Sequence, residues 1–347
     1  MPKNRKLFPH GTQGSLKGCF RFTEATVIKM KKTKKTARGK NQQGSGSRGV
    51  TIVILLLLAA IVAGTATVLY VRPDWRWLVT DALFSSPAGT MPRGEDADAL
   101  RKRGGEFSEL SSFTVDSLRD DSRVTENASL MLINPEHLLS ADYLPALATL
   151  PGSDMLADPQ LCLAFAALAA DCEERTGAAQ KLIITSAYRT RKEQEAAISE
   201  EGERAQALDA SEHQAGLALD LCVRYYGGRS FLKTDAGRYV NSNAAEYGLI
   251  MRYPYWGRSE TGISFEPWHV RYVGKPHAVL ISENRLTLEG YISLLTPGLY
   301  FVSGEYLITR QSADAAFLLP DGFASAEISP DNTGYYIITA RLDSDPG

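Results

Sequence analysis

Cysteine and histidine are both scarce in this sequence, which has four cysteines and five histidines among 347 residues. Four cysteines are too few for the disulfide framework that holds small secreted domains together, so we expect the fold to rest on an apolar core. Cys162 and Cys172 lie on one predicted helix, about 15 Å apart, and cannot bridge each other. The net charge of −2 excludes a uniformly basic nucleic-acid-binding protein.

Charge is absent altogether from residues 51–71. As a helix this run would be about 31 Å long, which matches the hydrocarbon thickness of a bilayer. A cleaved signal peptide is the alternative, but its apolar region is usually only about 7–15 residues long and ends in a small-residue cleavage site. We therefore expect residues 51–71 to be an uncleaved membrane anchor.

The basic residues are concentrated on one side of this run. Residues 31–50 carry seven Lys or Arg, whereas residues 72–91 carry two. The positive-inside rule predicts that residues 1–50 form a cytoplasmic tail of a single-pass membrane protein and that the rest of the chain is extracytoplasmic. Trp75 and Trp77 lie where an interfacial aromatic belt would be. Beside an anchor, such a tail favours contact with anionic lipid over nucleic acid.

Composition divides the chain after the anchor into three segments. Residues 72–126 are rich in Ser, Gly, Asp and Arg and are expected to form a stalk. Residues 127–296 mix helical and strand patterns, which predicts one compact domain. Residues 297–347 contain short β runs divided by turn signals, which predicts a small β-rich appendage.

Capping residues and apolar spacing predict the elements of the compact domain. Asp158 can cap a helix that begins at Pro159, and Thr190 with Glu193 forms a capping-box pattern. Further helices are predicted over 191–200, 243–249 and 288–295, and strands over 181–186 (expected to be buried), over 217–223 and at the end of 263–273.

An acidic residue stands in the middle of the second predicted strand. Alternation places Asp220 on one face and the neighbouring leucines on the other. A buried lone carboxylate is very costly, so Asp220 must be paired or bound to a metal. His213 precedes a glycine turn into this strand and could fold onto the same face.

A second histidine lies in similar company further along the chain. His269 follows Glu266 by three residues at the start of another predicted strand. An isolated histidine is more often a hydrogen-bonded core residue than a ligand. Two histidines and one aspartate nevertheless make a three-ligand set typical of catalytic zinc, and Glu266 could take a proton from a water there.

Four segments together resemble the VanY-type D-alanyl-D-alanine carboxypeptidases, zinc peptidases that share a fold with the hedgehog signalling domain. They are S-E-H-Q-A-G-L-A-L-D at 211–220, E-P-W-H-V-R-Y-V-G at 266–274, S-A-Y-R-T at 186–190 with Gln194, and Y-G-L-I-M-R-Y-P at 247–254. The resemblance covers about residues 128–295. It implies an α+β fold in which helices flank a small antiparallel sheet.

The resemblance also implies roles for individual residues. Zn²⁺ would be bound by His213, Asp220 and His269, with Glu266 as the catalytic base. Arg189 matches the arginine that holds or polarises the substrate near the scissile bond. The positions that match residues near the substrate are Ser211, Tyr188 and Gln194.

The function that follows is removal of the terminal D-alanine from peptidoglycan stem peptides that end in D-Ala-D-Ala. Two alternatives keep the same fold: an L,D-carboxypeptidase or an endopeptidase acting on cross-links, and a non-catalytic, zinc-containing wall-binding module. Glu266 discriminates against the last, since a purely structural zinc site has no need of a base.

Overall fold

The computed structural model describes residues 46–85, 87, 89–202 and 205–342. Most of the predicted basic tail lies outside these residues. The α-helices within them are α1 (Gly46–Val71), α2 (Pro73–Phe84), α3 (Ala97–Lys102), α4 (Val115–Arg119), α5 (Pro159–Thr176), α6 (Arg191–Glu201), α7 (Asp235–Asn243), α8 (Arg258–Thr261), α9 (His277–Glu283) and α10 (Leu288–Leu294). The strands are β1 (Leu110–Phe113), β2 (Val124–Glu126), β3 (Ala148–Thr149), β4 (Leu156–Ala157), β5 (Ile183–Ser186), β6 (Ala218–Cys222), β7 (Leu249–Met251), β8 (His269–Tyr272), β9 (Tyr300–Ser303), β10 (Tyr306–Ser312), β11 (Phe317–Pro320), β12 (Phe323–Pro330) and β13 (Tyr335–Leu342).

Helix α1 contains the apolar run that the sequence analysis singled out. Residues 50–71 form a helix that is long and apolar enough to cross a membrane, and none of its most apolar stretch is buried in the protein. The chain divides by its contacts into two units at Ala59 and Ala60, within this helix. The one apolar helix is thus a candidate membrane span.

An antiparallel sheet of four strands lies at the centre of the predicted compact domain. Its strand order is β5-β6-β8-β7, and α5 and α7 pack against it through a shared apolar core. Asp158 caps α5 as predicted, since its carboxylate accepts hydrogen bonds from the first turn. Thr190 and Glu193 also form the predicted capping box of α6. This arrangement is the expected mixed fold of helices around a small antiparallel sheet.

Two local predictions are wrong. Strand β5 is not buried, because it is the edge strand of the sheet and Ile183 remains 43% exposed. The predicted helix over 243–249 is instead a 3-10 turn, Ala244–Tyr247, followed after one residue by β7. Gly248 separates the two with a φ of 80°, a left-handed conformation that ends the turn and that glycine adopts without strain.

The C-terminal strands form a second sheet, with the order β2-β12-β13-β10-β9. They were expected as an appendage, but their inner face shares an apolar core with the first domain: Phe301, Ile308 and Ile337 cluster with Ile250 and Val273. A sheet buried on that face is part of the same packed unit.

The segment 72–126 also differs from the expected stalk. Strand β1 pairs antiparallel with β11, and β2 pairs parallel with β12. Leu118 is fully buried against Phe317 and Ile338. This segment therefore supplies β1 to a two-stranded sheet with β11 and β2 to the second sheet, and Leu118 anchors it in the core.

Three cysteines lie in the described residues, and all three are free thiols: Cys162, Cys172 and Cys222. Cys162 and Cys172 are buried on α5, where they pack as small apolar side chains.

Candidate metal centre

A tight turn and two neighbouring strands bring the predicted ligands together. His213 lies in a 3-10 turn, Glu212–Ala215, which Gly216 ends with a φ of 71°. The chain then enters β6, where Asp220 lies directly opposite His269 of β8 in the antiparallel register. Adjacent strands thus place the carboxylate and the second imidazole side by side, and the turn brings the first imidazole onto the same face.

The three side chains converge on one point. Nε2 of His213 lies 3.3 Å from Oδ2 of Asp220, and Nδ1 of His269 lies 2.9 Å from Oδ1. The two imidazole rings are perpendicular, with centroids 5.1 Å apart. One potential ligand atom from each residue lies within 4.8 Å of the others. This is the only such group of His, Cys, Asp or Glu side chains in the described part of the chain.

The remaining nitrogen of each histidine is held by another group. Nδ1 of His213 is 2.8 Å from the carbonyl oxygen of Ala187, so that nitrogen donates and Nε2 keeps its lone pair. Nε2 of His269 lies 3.5 Å from Oε2 of Glu212, which leaves Nδ1 directed at Asp220. Ligating histidines in metalloproteins are held in this way by a carbonyl or a carboxylate.

Glu212 is fully buried and is balanced by two buried arginines. Its Oε1 accepts a hydrogen bond from Nε of Arg252 at 2.6 Å and another from Nη1 of Arg271 at 2.7 Å. Arg252 also forms a two-bond pair with Glu289 of α10, at 2.8 and 2.6 Å. The two arginines keep the Glu212 carboxylate ionised behind His269, because a buried charge is stable only when it is paired.

Electrostatics make the cluster attractive to a cation, which would displace a proton from His269 on binding. Burial raises the pKa of the Asp220 carboxyl, but His213 and His269 outweigh this effect and hold it well below its usual range. Burial lowers the pKa of His213, which keeps that ring neutral. Burial also opposes protonation of His269, yet its hydrogen bonds with Asp220 and Glu212 raise its pKa to about 9. The negative potential that favours a proton on His269 equally favours a metal cation.

The donor set fits Zn²⁺. It offers two imidazole nitrogens and one carboxylate oxygen, and it is buried except at Asp220, which is half-buried. Zinc in catalytic sites has three protein ligands of these types and keeps one further position open.

Arg189 lies at the edge of this cluster, as the resemblance implies. Its Nη2 is 3.6 Å from Oδ2 of Asp220. The guanidinium is held by hydrogen bonds to Oγ of Ser186 at 2.9 Å and to Oε1 of Gln194 at 3.1 Å. Gln194 is itself fully buried and donates to the carbonyl of Gln206. Gln194 therefore orients the arginine.

Glu266 precedes β8 in the turn that carries His269. Its carbonyl accepts a hydrogen bond from the N–H of His269 at 3.1 Å, and its own N–H donates to the carbonyl of Tyr253 at 3.0 Å. Burial raises the pKa of the Tyr253 hydroxyl, and the charges of Glu212 and Glu266 raise it further. The Tyr253 ring is 5.0 Å from that of His269, so the turn that carries Glu266 adjoins the cluster through its backbone.

Ser211 and Tyr188, predicted to lie near the substrate, are close to the cluster only because their neighbours in the chain contribute to it. Ser211 is buried and immediately precedes the turn that carries His213. Tyr188 is half-buried and follows Ala187, the residue whose carbonyl holds His213. Within the described residues neither side chain forms a hydrogen bond to the three converging groups.

The sequence analysis missed Glu212, Arg252 and Arg271. A signal was present: Arg271 stands between apolar residues in a predicted strand, as Asp220 does. A buried arginine also needs a charged partner, but that partner, Glu212, is 59 positions away in the chain.

Known proteins resemble this chain in sequence and fold. Residues 155–275 match the family VanY, D-alanyl-D-alanine carboxypeptidase. A D-alanyl-D-alanine carboxypeptidase of Enterococcus faecium is 40% identical over 123 residues, which is 34% of this chain and 39% of that protein. The bifunctional D-Ala-D-Ala dipeptidase and D-Ala-D-Ala carboxypeptidase VanXYC of Enterococcus gallinarum is 33% identical over 180 residues, 47% of this chain and 93% of that protein.

A solved structure extends the similarity to the fold. The vancomycin resistance D,D-dipeptidase VanXYg, in complex with a D-Ala-D-Ala phosphinate analogue, matches with a TM-score of 0.52 and 25% identity over 62% of this chain and 94% of that one. The shared motifs, the sequence identity and the common fold together show that the chain belongs to the VanY family of D-alanyl-D-alanine carboxypeptidases, which are zinc metallopeptidases.

Proposed function

We propose that this chain is a membrane-anchored, zinc-dependent D-alanyl-D-alanine carboxypeptidase that removes the terminal D-alanine from peptidoglycan stem peptides. The observation that carries the proposal is the convergence of His213, Asp220 and His269, whose potential ligand atoms lie within 4.8 Å of one another. The substrates named for the relatives support this choice of peptide.

His213, Asp220 and His269 would hold the metal, through Nε2, a carboxylate oxygen and Nδ1 respectively. Zn²⁺ bound there supplies Lewis-acid chemistry, which makes a water acidic near neutral pH and polarises a carbonyl group. The Ala187 carbonyl and Glu212 fix the two imidazole orientations, so the site needs little rearrangement to accept the ion.

Glu266 is the proposed general base. Its carboxylate takes a proton from the attacking water and delivers it to the amine of the departing D-alanine. Its position in the turn that hydrogen-bonds through the backbone to His269 and Tyr253 supports this role. Positioned proton transfer of this kind contributes about 10²–10⁴ in rate.

Arg189 is proposed to stabilise the negative charge that develops on the carbonyl oxygen as the peptide bond is attacked. Its guanidinium is held by Ser186 and Gln194 at the edge of the cluster. A donor fixed in advance stabilises developing charge more than a mobile one does. Ser211 and Tyr188 flank the same groups in the chain and are proposed to contact the peptide.

The candidate span over residues 50–71 supports attachment to the membrane. The excess of basic residues before it favours a cytoplasmic N-terminus and a catalytic domain outside the cell, where peptidoglycan is found.

The test is the digestion of defined muropeptides with the purified full chain. Release of one D-alanine from a pentapeptide ending in D-Ala-D-Ala, abolished by a chelator and restored by zinc, is expected. Cleavage confined to tetrapeptides or to cross-linked dimers would replace the proposed specificity with an L,D-carboxypeptidase or endopeptidase activity. Binding of zinc and peptide without any cleavage would contradict the proposal in favour of a wall-binding module.

A further inference from the structure

Helix α2 begins almost where the candidate membrane span ends. The apolar helix ends at Val71, and α2 starts at Pro73. If residues 50–71 cross a bilayer, the single intervening residue, Arg72, leaves α2 no room to move far from the surface, since a residue spans at most about 3.6 Å. The environment of α2 is therefore determined by the bilayer as well as by the domain.

One side of α2 is fixed to the extracytoplasmic domain. Nε1 of Trp77 donates to Oγ of Ser242 at 3.2 Å. One turn further on, Asp81 accepts a hydrogen bond from the hydroxyl of Tyr255 at 2.9 Å and pairs with Arg285 at 3.2 Å. These contacts define a docked face of α2.

The opposite side of α2 presents apolar side chains that remain partly or largely exposed in the described part of the chain. Trp75 is 50% exposed, Val79 37% and Leu83 69%. Their spacing of four residues places them on one stripe, and at about 100° per residue this stripe lies roughly opposite the docked face. Phe84, 78% exposed, ends the helix. Single exposed apolar residues are ordinary, but a contiguous stripe of this kind marks a binding surface.

We propose that α2 lies along the bilayer surface with the stripe Trp75, Val79 and Leu83 inserted among the lipids, so that the domain is held at the membrane by a second contact beside the anchor. This proposal rests on the membrane attachment proposed above.

Basic and aromatic groups on α2 favour lipid over another protein as the occupant. Arg76 lies at the border of the stripe, is exposed and has no ion-pair partner within the described residues. Arg72, which precedes α2 and pairs with Asp74 at 2.8 Å, packs its guanidinium 5.2 Å from the centroid of the Trp75 ring. Tryptophan and arginine side by side are typical of the headgroup region, where the indole meets the acyl boundary and the cation meets phosphate.

The test uses the full chain in vesicles of phosphatidylglycerol and phosphatidylethanolamine whose acyl chains carry bromine, which quenches tryptophan fluorescence on contact. In a Trp75→Phe background, one tryptophan is added at Leu83 and, as the matched control, at Leu144, a residue 89% exposed outside α2. The lipid should quench most of the fluorescence added by Leu83→Trp and almost none of that added by Leu144→Trp.

Retention of the chain after an alkaline carbonate wash is measured in the same vesicles, and D-alanine release is measured on a soluble pentapeptide. Equal, weak quenching of both variants in a retained chain would overturn the proposal and leave the anchor in place. Loss of the chain on washing would overturn both the anchor and this proposal, whereas the peptide assay reports on catalysis separately. Protection of Leu83→Trp from lipid and from aqueous iodide alike, varying with protein density, would assign the stripe to a second copy and also overturn the proposal.

Discussion

Oε2 of Glu212 lies 3.5 Å from Nε2 of His269, on the far side of the imidazole from Asp220. Among the residues that the structure describes, neither atom forms a hydrogen bond, and each is the ion-pair partner of the other. The carboxylate thus holds the outer nitrogen of the ring, and the inner nitrogen is left to face the cluster. Glu212 would act on a metal only through His269, as a positioning residue.

Replacing Glu212 with glutamine should weaken zinc binding by about 10- to 100-fold, because the ring loses a charged partner that fixes its orientation and raises its basicity. The measurement is a competition for zinc against a chelator of known affinity. Glu289→Gln is the matched control, since Glu289 pairs with Arg252 in the same buried network but does not reach His269. We expect Glu289→Gln to lower the free energy of unfolding while zinc affinity stays near that of the parent. Equal zinc affinities in both variants would exclude a positioning role for Glu212.

The three proposed ligands should each be necessary for the metal. We expect the parent to hold about one Zn²⁺ per chain, and His213→Ala, Asp220→Ala or His269→Ala to lose both zinc and activity. His137→Ala is the control, because His137 bonds to Asn134 away from the cluster. Metal content measured by atomic absorption decides the assignment. Full zinc in any ligand variant would remove that residue from the set.

Glu266→Gln separates an enzyme from a binding module. The amide keeps the size of the side chain but cannot take a proton, so kcat should fall by about 10²–10⁴. Zinc content should remain that of the parent, because the three ligands are untouched. The rate of D-alanine release and the bound metal are measured on the same sample. Parental turnover in a variant with full metal occupancy would show that Glu266 is not the base.

Substitutions of Arg189 and of Gln194 should lower kcat/KM to different extents. Arg189→Ala removes the donor at the cluster and should lower kcat/KM strongly, with zinc retained. Gln194→Ala leaves the guanidinium present but less well held, so a smaller loss is expected. Steady-state kinetics on a pentapeptide distinguish the two. A loss of zinc in Arg189→Ala would mean that its contact with Asp220 supports the metal and not the substrate.

His277 predicts a pH dependence of stability that is independent of the metal. It is buried between the Tyr291 hydroxyl at 2.7 Å and Oγ1 of Thr339 at 2.8 Å, which joins α9 and α10 to the second sheet. Burial lowers its pKa to about 3 in the folded state. Below the ordinary value near 6.5 the unfolded chain therefore binds a proton that the folded chain does not, and stability falls as the pH falls.

Between pH 7 and pH 5, His277 should lower the free energy of unfolding by up to about 2 kcal/mol, at roughly 1.4 kcal/mol per pH unit below its unfolded pKa. The comparison is urea denaturation of the parent and of His277→Gln, which cannot titrate there. The difference in stability between the two should shift in favour of the variant as the pH is lowered. If the free energies of unfolding of the two proteins fall in parallel as the pH is lowered, His277 is not the source of this pH dependence.

Much of the candidate site could be read from local patterns. His213 and Asp220 are separated by one turn and half a strand, so spacing and alternation alone predict that they share a face. Glu266 and His269 are three residues apart in one short segment, so their proximity could also be predicted from spacing. Pairing the two segments needed the resemblance to a known family, because nothing local in either indicates that β6 and β8 are neighbours.

Contacts between distant segments decided the features that local sequence patterns could not predict. Strand β5 has an apolar sequence but lies at a sheet edge, and an edge position depends on which strands pair. The Glu212, Arg252 and Arg271 cluster joins residues from distant segments, so the local sequence could mark Arg271 as a buried charge but could not identify its partner. Strands β1 and β2 are too short to be recognised without their partners β11 and β12.

The sequence by itself therefore determined the types of side chain that converge in the cluster, the caps of α5 and α6, the candidate span and the β character of the C-terminal segment, because each depends on residues within about one or two turns of chain. Only the tertiary structure decided which carboxylate lies beside His269, that the residues after the candidate span fold onto the domain, and that one side of α2 remains apolar and exposed. These features depend on burial and on contacts between residues far apart in the chain, and neither is encoded in the spacing of neighbours.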